Sequence, residues 1–216
     1  MKRIMPLLLI VALFACNNES KTKTDADSLK TVQPAITDST DGKGRRPAET
    51  DTSLLDTSRV ILNILKNQDF ENLSSYINPS QGLRFSPYAF IDTSDSRAFT
   101  PYQLKMAAQK SSILVWGSYD GSGDPIKMNI KEYWKKFVYN ADYLHAPERS
   151  VNEFLKTGNS LNNLRETYPR AIFTEFYFPG FEKKYDGMDW QTLRLVFQQE
   201  NGKFYLLAIV HDQWTI

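Results

Sequence analysis

One cysteine and two histidines are all that this 216-residue chain holds of the side chains most used for redox, nucleophilic and metal chemistry. The lone Cys16 excludes an internal disulfide framework and a thiol catalyst. With His145 and His211 alone, a histidine-rich zinc site is excluded, and neither HExxH nor GxSxG occurs. No glycine-rich phosphate cradle follows a strand pattern. Charge of one sign is also missing: 26 basic residues face 25 acidic ones with no long basic block, so no electrostatic footprint for nucleic acid exists. The apolar run at residues 4–15 is 12 residues long, short of the roughly 20 that a membrane-spanning helix needs. The chemistry that remains is that of carboxylates, hydroxyls, aromatic rings and arginine.

Lys2-Arg3 ahead of that run has the layout of a signal peptide, and the run ends in Leu13-Phe14-Ala15-Cys16. This ending resembles the lipobox of bacterial lipoproteins, in which a small residue precedes a cysteine that is acylated and becomes residue one. The resemblance implies lipidation at Cys16, with several acyl chains (palmitate among them) forming a stable anchor at about 0.8 kcal/mol per buried methylene. It places the chain in a bacterial cell envelope, anchored to a membrane (the outer one is expected), with its soluble part periplasmic or surface-exposed. Removing residues 1–15 takes away Lys2 and Arg3, leaving 24 basic against 25 acidic residues, net −1. Residues 16–53 are rich in Ser, Thr, Asp and Lys without apolar period, and read as a disordered tether. Residues 54–216 then form a single domain with room for a substantial core.

Asn201-Gly202 between two β-rich runs predicts a tight hairpin, since both residues tolerate positive φ. With that pair as the turn, Glu200 faces Lys203, Phe197 faces Leu206, Leu195 faces Ala208 and Leu193 faces Val210. The other face then carries Val196 with Leu207, Arg194 with Ile209 and Thr192 with His211. Both faces are apolar, so the hairpin is expected at the centre of a sheet covered on both sides. Upstream, Leu54, Ile61, Ile64 and Leu65 fall at helical spacing, and Asp69 can cap a short second helix. Strands are predicted at residues 83–85, 111–119, 151–155 and 171–178. Thr100-Pro101 starts a third helix, and Asn129 with Glu132 a fourth through a capping box.

The run VILNILKNQDFENLSSYI followed by a strand resembles the opening of nuclear-transport-factor-two-like domains. The expected fold is therefore α+β: N-terminal helices packed on a curved, mainly antiparallel sheet, the cone of that superfamily. The tail GMDWQTLRLVFQQENGKFYLLAIVHDQWTI, with GLRFSPYAFIDT and YDGSGDPIK, is also similar to a Bacteroidetes-type family of bacterial lipoproteins that brings no known activity with it.

Strand parity puts Arg194 and His211 on one face, with Asp212 pointing away and Glu175 able to join from the neighbouring strand. One reading is a polar cluster at the base of a cavity, with His211, Asp212 and Glu175 as candidate acid–base groups. The other is a buried ion pair beside a satisfied histidine. Arg84 and Ser86 share parity in the first strand and, with Tyr177, Arg194 and His211, are candidate ligand-binding residues. Trp116, Tyr119, Trp134, Tyr177, Trp190 and Trp214 either line a sugar-stacking groove or fill the core. Asp120, Ser122 and Asp124 alternate as in a calcium loop, but positions six and twelve are Pro125 and Lys131, which makes the stretch a surface turn.

Three functions fit these residues. The first is a lipid-anchored envelope binding or accessory module, without cofactor or metal, whose partner is a small molecule, a glycan or an envelope protein. The second is a cofactor-free hydrolase, isomerase or dehydratase using the His-Asp/Glu-Arg group. The third is an assembly protein that uses an open sheet face, for example as a homodimer. The anchor is tested first: Cys16→Ala is expected to move the protein from the membrane pellet to the soluble fraction, and retention in the pellet would overturn the lipobox reading.

Overall fold

Helix α1 (Pro47–Lys66) sets Leu54, Ser58, Ile61, Leu62 and Leu65 on one buried stripe at three- and four-residue steps. The computed structural model describes residues 47–94 and 96–215, with side chains from Thr50 onward, so the leader and Cys16 lie outside the described residues. Residues 47–53, expected in the tether, are helical. Gln68 ends the first helical segment at φ +52°. The Asp69 carboxylate then accepts the Asn72 N–H at 3.0 Å and starts α2 (Phe70–Ser74).

Strands β1 (Leu83–Ser86) and β2 (Ala98–Phe99) precede α3 (Pro101–Lys110), whose capping box is reciprocal between Thr100 and Gln103. The pair β3 (Leu114–Ser118) and β4 (Pro125–Met128) forms a separate two-stranded ribbon. Helix α4 (Ile130–Tyr133) carries the Asn129–Glu132 capping box and runs straight into a π turn, Trp134–Val138. The wider turn brings Tyr133, Trp134, Phe137 and Val138 into the core together. There follow β5 (Glu148–Val151), α5 (Leu164–Thr167), β6 (Ile172–Phe178), β7 (Gln191–Glu200) and β8 (Lys203–Gln213). The strand expected at 151–155 ends at Val151 because Asn152 takes φ +56° and turns its side chain onto the Phe173 N–H.

The fold is α+β. A six-stranded sheet has the order β2-β1-β8-β7-β6-β5, parallel between β1 and β8 and antiparallel elsewhere. The hairpin β7–β8 is central, as its two apolar faces predict. On one face Phe85, Phe176, Leu193, Leu195 and Ile209 pack with α1 to α4 and with the aromatic group Trp116, Tyr133 and Trp134. On the other, Phe173, Val196, Leu207, Ala208 and Val210 are covered by residues 152–171 through Phe154, Leu164 and Tyr168. That cover is the chain's own irregular strap, so the sheet face expected to stay open for a partner is closed.

The register of the hairpin changes part-way. Glu200 faces Lys203 and Phe197 faces Leu206 as predicted, but Val196 then faces Ala208, Leu195 faces Ile209, Arg194 faces Val210, Leu193 faces His211 and Thr192 faces Asp212. One extra residue, Leu207, is taken up as a β-bulge. Its neighbour Leu206 also pairs outside the hairpin, donating to the Tyr76 carbonyl at 2.6 Å and accepting from Asn78 N–H at 3.0 Å. Beyond this point β1 replaces the 76–78 segment beside β8. Since a one-residue slip exchanges the faces of a strand, every assignment beyond the bulge inverts.

Leu195 has no exposed surface in the main core. Leu195→Ala is expected to cost roughly 2–5 kcal/mol, read as a lowered denaturant midpoint; an unchanged midpoint would contradict its central position.

Candidate functional site

Arg194 and His211 do not share a face; the bulge separates them. The partner that the bulge brings to Arg194 is Asp212, expected to point away. The Arg194 Nε donates to Glu175 Oε2 at 2.8 Å, while Nη1 and Nη2 each reach Asp212 Oδ2 at 3.3 Å. All three side chains are buried. The strap closes over them: Lys156 O accepts from Arg194 Nη2 at 2.9 Å, Lys156 N–H donates to Glu175 Oε1 at 3.3 Å, and the Phe154 ring lies 5.1 Å from the guanidinium. Two carboxylates share one cation here. Burial, above all, pushes the Asp212 carboxyl up to about 6, and Glu175 adds to the rise against the opposing pull of Arg194.

His211 lies on the helix-covered face with both ring nitrogens engaged. Nδ1 is 3.0 Å from the Pro87 carbonyl, which can only accept, so Nδ1 carries the proton. Nε2 then accepts from Asn140 Nδ2 at 3.1 Å, and Asn140 Oδ1 accepts from the Tyr143 hydroxyl at 2.9 Å. The Phe137 ring packs edge-on at 5.8 Å. Burial lowers the His211 pKa to about 4, partly offset by the bond to Pro87, so the ring is neutral at physiological pH. It holds the Pro87 carbonyl in place.

The remaining expected ligand residues separate as well. Arg84 Nη1 donates to Ser96 O at 2.7 Å and Ser96 Oγ at 3.0 Å, closing the 87–96 excursion. Tyr177 is buried beside the Trp190 ring. Trp134 and Trp190 are buried, and Trp214 is partly exposed. Ser86, Trp116 and Tyr119 do meet, in a cleft of about 450 Å³ beyond the end of β1.

That cleft has walls from three places. The excursion after β1 contributes Pro87, Tyr88, Phe90 and Asp92; β3 and its following turn contribute Trp116 to Asp120; the strap contributes Ser160 and Leu161. Trp116 stacks on Tyr133 at 4.0 Å and has no exposed surface of its own. Gly117 stands at φ +111° within the irregular pairing of β3 with β4, where a Cβ would meet open space. Asp120 pins the walls together: its Oδ2 accepts from Ser160 Oγ and Thr215 Oγ1, both at 2.6 Å, and its Oδ1 accepts from Gly121 N–H at 3.1 Å. The two hydroxyl bonds hold its pKa below the usual carboxylate value. Asp120 was legible only as part of a surface turn; nothing local in the sequence announces Ser160 and Thr215 as its partners.

Among the described residues no cluster of His, Cys, Asp and Glu could hold a metal ion, and no helix is long and apolar enough to cross a membrane. Scans against known protein families, curated proteins and solved structures find no match to this chain.

The two buried titrating groups act on stability with opposite sign. The folded His211 takes its proton only near pH 4, below the ordinary 6.5, so its contribution is present above 6.5 and lost as pH falls to about 4. The folded Asp212 keeps a proton that the unfolded chain loses near 3.8, so its contribution is lost as pH rises to about 6. In the wild type the two slopes offset each other between these limits. Relative to wild type, His211→Gln is expected to gain stability, by up to roughly 3 kcal/mol, on going from neutral pH to pH ~4. Denaturation midpoints across that range read this; a pH-independent difference would mean that His211 is not held neutral.

Proposed function

We propose that this chain is a lipid-anchored binding module of a bacterial cell envelope, anchored through Cys16 and taking a small ligand in the cleft between Tyr88, Gly117, Asp120 and Leu161. The observation that carries the reading is the cleft itself, a concave space of about 450 Å³ with aromatic and carboxylate walls. It lies at the strand ends, whereas the expected cavity on the sheet face is filled by Phe85, Trp116, Tyr133 and Trp134. The cone of nuclear-transport-factor-two-like domains is part of this proposal. Two helices, two strands, a helix, the β3–β4 ribbon and a further helix precede the last four strands, which α5 interrupts, and α1 to α4 lie on one face.

The acid–base alternative has less support. His211 has neither a free lone pair nor a free proton, and Glu175 and Asp212 hold Arg194 under the strap. The assembly alternative rested on a sheet face that residues 152–171 cover.

A thermal-shift screen of the purified protein against envelope sugars, peptidoglycan fragments, amines and small carboxylates tests the binding reading. A ligand at a hundred times its dissociation constant stabilises by about 2.7 kcal/mol, a shift of several degrees. Ser118→Trp, at an exposed position lining the cleft, is expected to abolish the shift while leaving the fold intact. A shift that survives Ser118→Trp would put the ligand elsewhere.

A further inference from the structure

We infer that the ligand of this cleft presents a primary ammonium group, with Asp120 as its counter-ion. The inference rests on the cleft being the binding site and names the chemistry that fits it.

Hydrogen-bonding capacity in the lining leans toward acceptors. Ser86 Oγ gives its proton to the Tyr88 and Phe90 carbonyls, each at 2.9 Å. Ser96 Oγ gives its proton to the Asp92 carbonyl, and Ser160 Oγ gives its own to Asp120. A hydroxyl carries one proton, so these three serines have only lone pairs left to offer. Asp120 adds a carboxylate oxygen, since Oδ1 accepts only the Gly121 N–H. Behind the wall, the Tyr133 hydroxyl is buried with no partner; burial above all, and then nearby Tyr88, raises its pKa. Tyr88 and Tyr119 keep a proton each, since their oxygens accept from the Asp120 backbone and from Lys136, and the exposed Ser118 hydroxyl can take either role. The balance still favours acceptors, and an ammonium has three donors and no acceptor.

Charge points the same way. Asp120 is ionised, its partners Ser160, Thr215 and Gly121 N–H are neutral, and no ion pair among the described residues includes it. No basic side chain lines the cleft. Ring faces attract a cation within about 6 Å, and one lining ring does so here. Exposed Lys136, outside the lining, already rests its ammonium 4.6 Å from the Tyr119 ring centre. Phe90 and Leu161, both exposed at the rim, provide apolar surface for the carbon frame that carries the amine.

Benzylamine and benzyl alcohol test this, being matched in shape and differing in the charged, donor-rich head. In amide NMR titrations at neutral pH, benzylamine is expected to shift the resonances of Gly117, Asp120, Gly121 and Leu161. It should bind about tenfold more tightly than the alcohol, the margin of a charge-assisted hydrogen bond. Asp120→Asn should remove the preference. Equal binding of both probes in the cleft would overturn the ammonium assignment and leave the cleft as a site. Benzylamine shifts that miss the cleft amides would overturn it as well. The comparison of the two probes on the wild-type protein stands whether or not Asp120→Asn folds.

Discussion

A guanidinium without exposed surface sits in the middle of the sheet, and the fold depends on two carboxylates reaching it on the same face. Removing one partner from such a buried group leaves a charge whose cost is about 3–5 kcal/mol. Glu175 arrives by simple pairing of β6 with β7. Asp212 arrives only because β8 holds one residue more than β7 between Phe197 and Val196. Without that residue the side chain beside Arg194 would be His211, a group that burial keeps neutral and that could not balance the charge. The bulge is thus an electrostatic device as much as a geometric one.

It is also what made the site hard to read. Alternation of apolar residues and the Asn201-Gly202 turn were enough to locate the hairpin, its centrality and its register as far as Phe197. Helix starts at Asp69, Thr100 and Asn129 were legible because capping is local: the donor, the acceptor and the sequence signal lie within three residues of one another. A bulge has no such signal. Leu206, Leu207 and Ala208 look like any other apolar triplet, and the slip is set by Tyr76 and Asn78 on a distant segment. The inversion of Arg194 and His211 followed from that single omission.

The cleft was illegible for a related reason. Its residues come from three stretches, and the contacts between Asp120 and its partners span 40 and 95 positions. Trp116 and Tyr119 were visible as aromatic candidates and Asp120 as part of a turn, but their convergence is a property of the closed chain. Two of the candidates have roles of support: buried His211 anchors the Pro87 carbonyl at the edge of the cleft, and half-buried Arg84 anchors the far end of the same excursion.

The strap has a place in both regions. Lys156 binds Glu175 and Arg194 with its backbone, and Ser160, four residues on, binds Asp120 at the cleft. A segment of this length with bonds at each end is a mechanical link between a buried ionic group and an exposed cleft. Linkage is reciprocal. Under the binding proposal, a ligand that tightened Ser160 against Asp120 would add order over the guanidinium, and a change of proton on Asp212 would be felt in turn at the cleft. The same few residues therefore serve as the lid of the core and as one wall of the cleft.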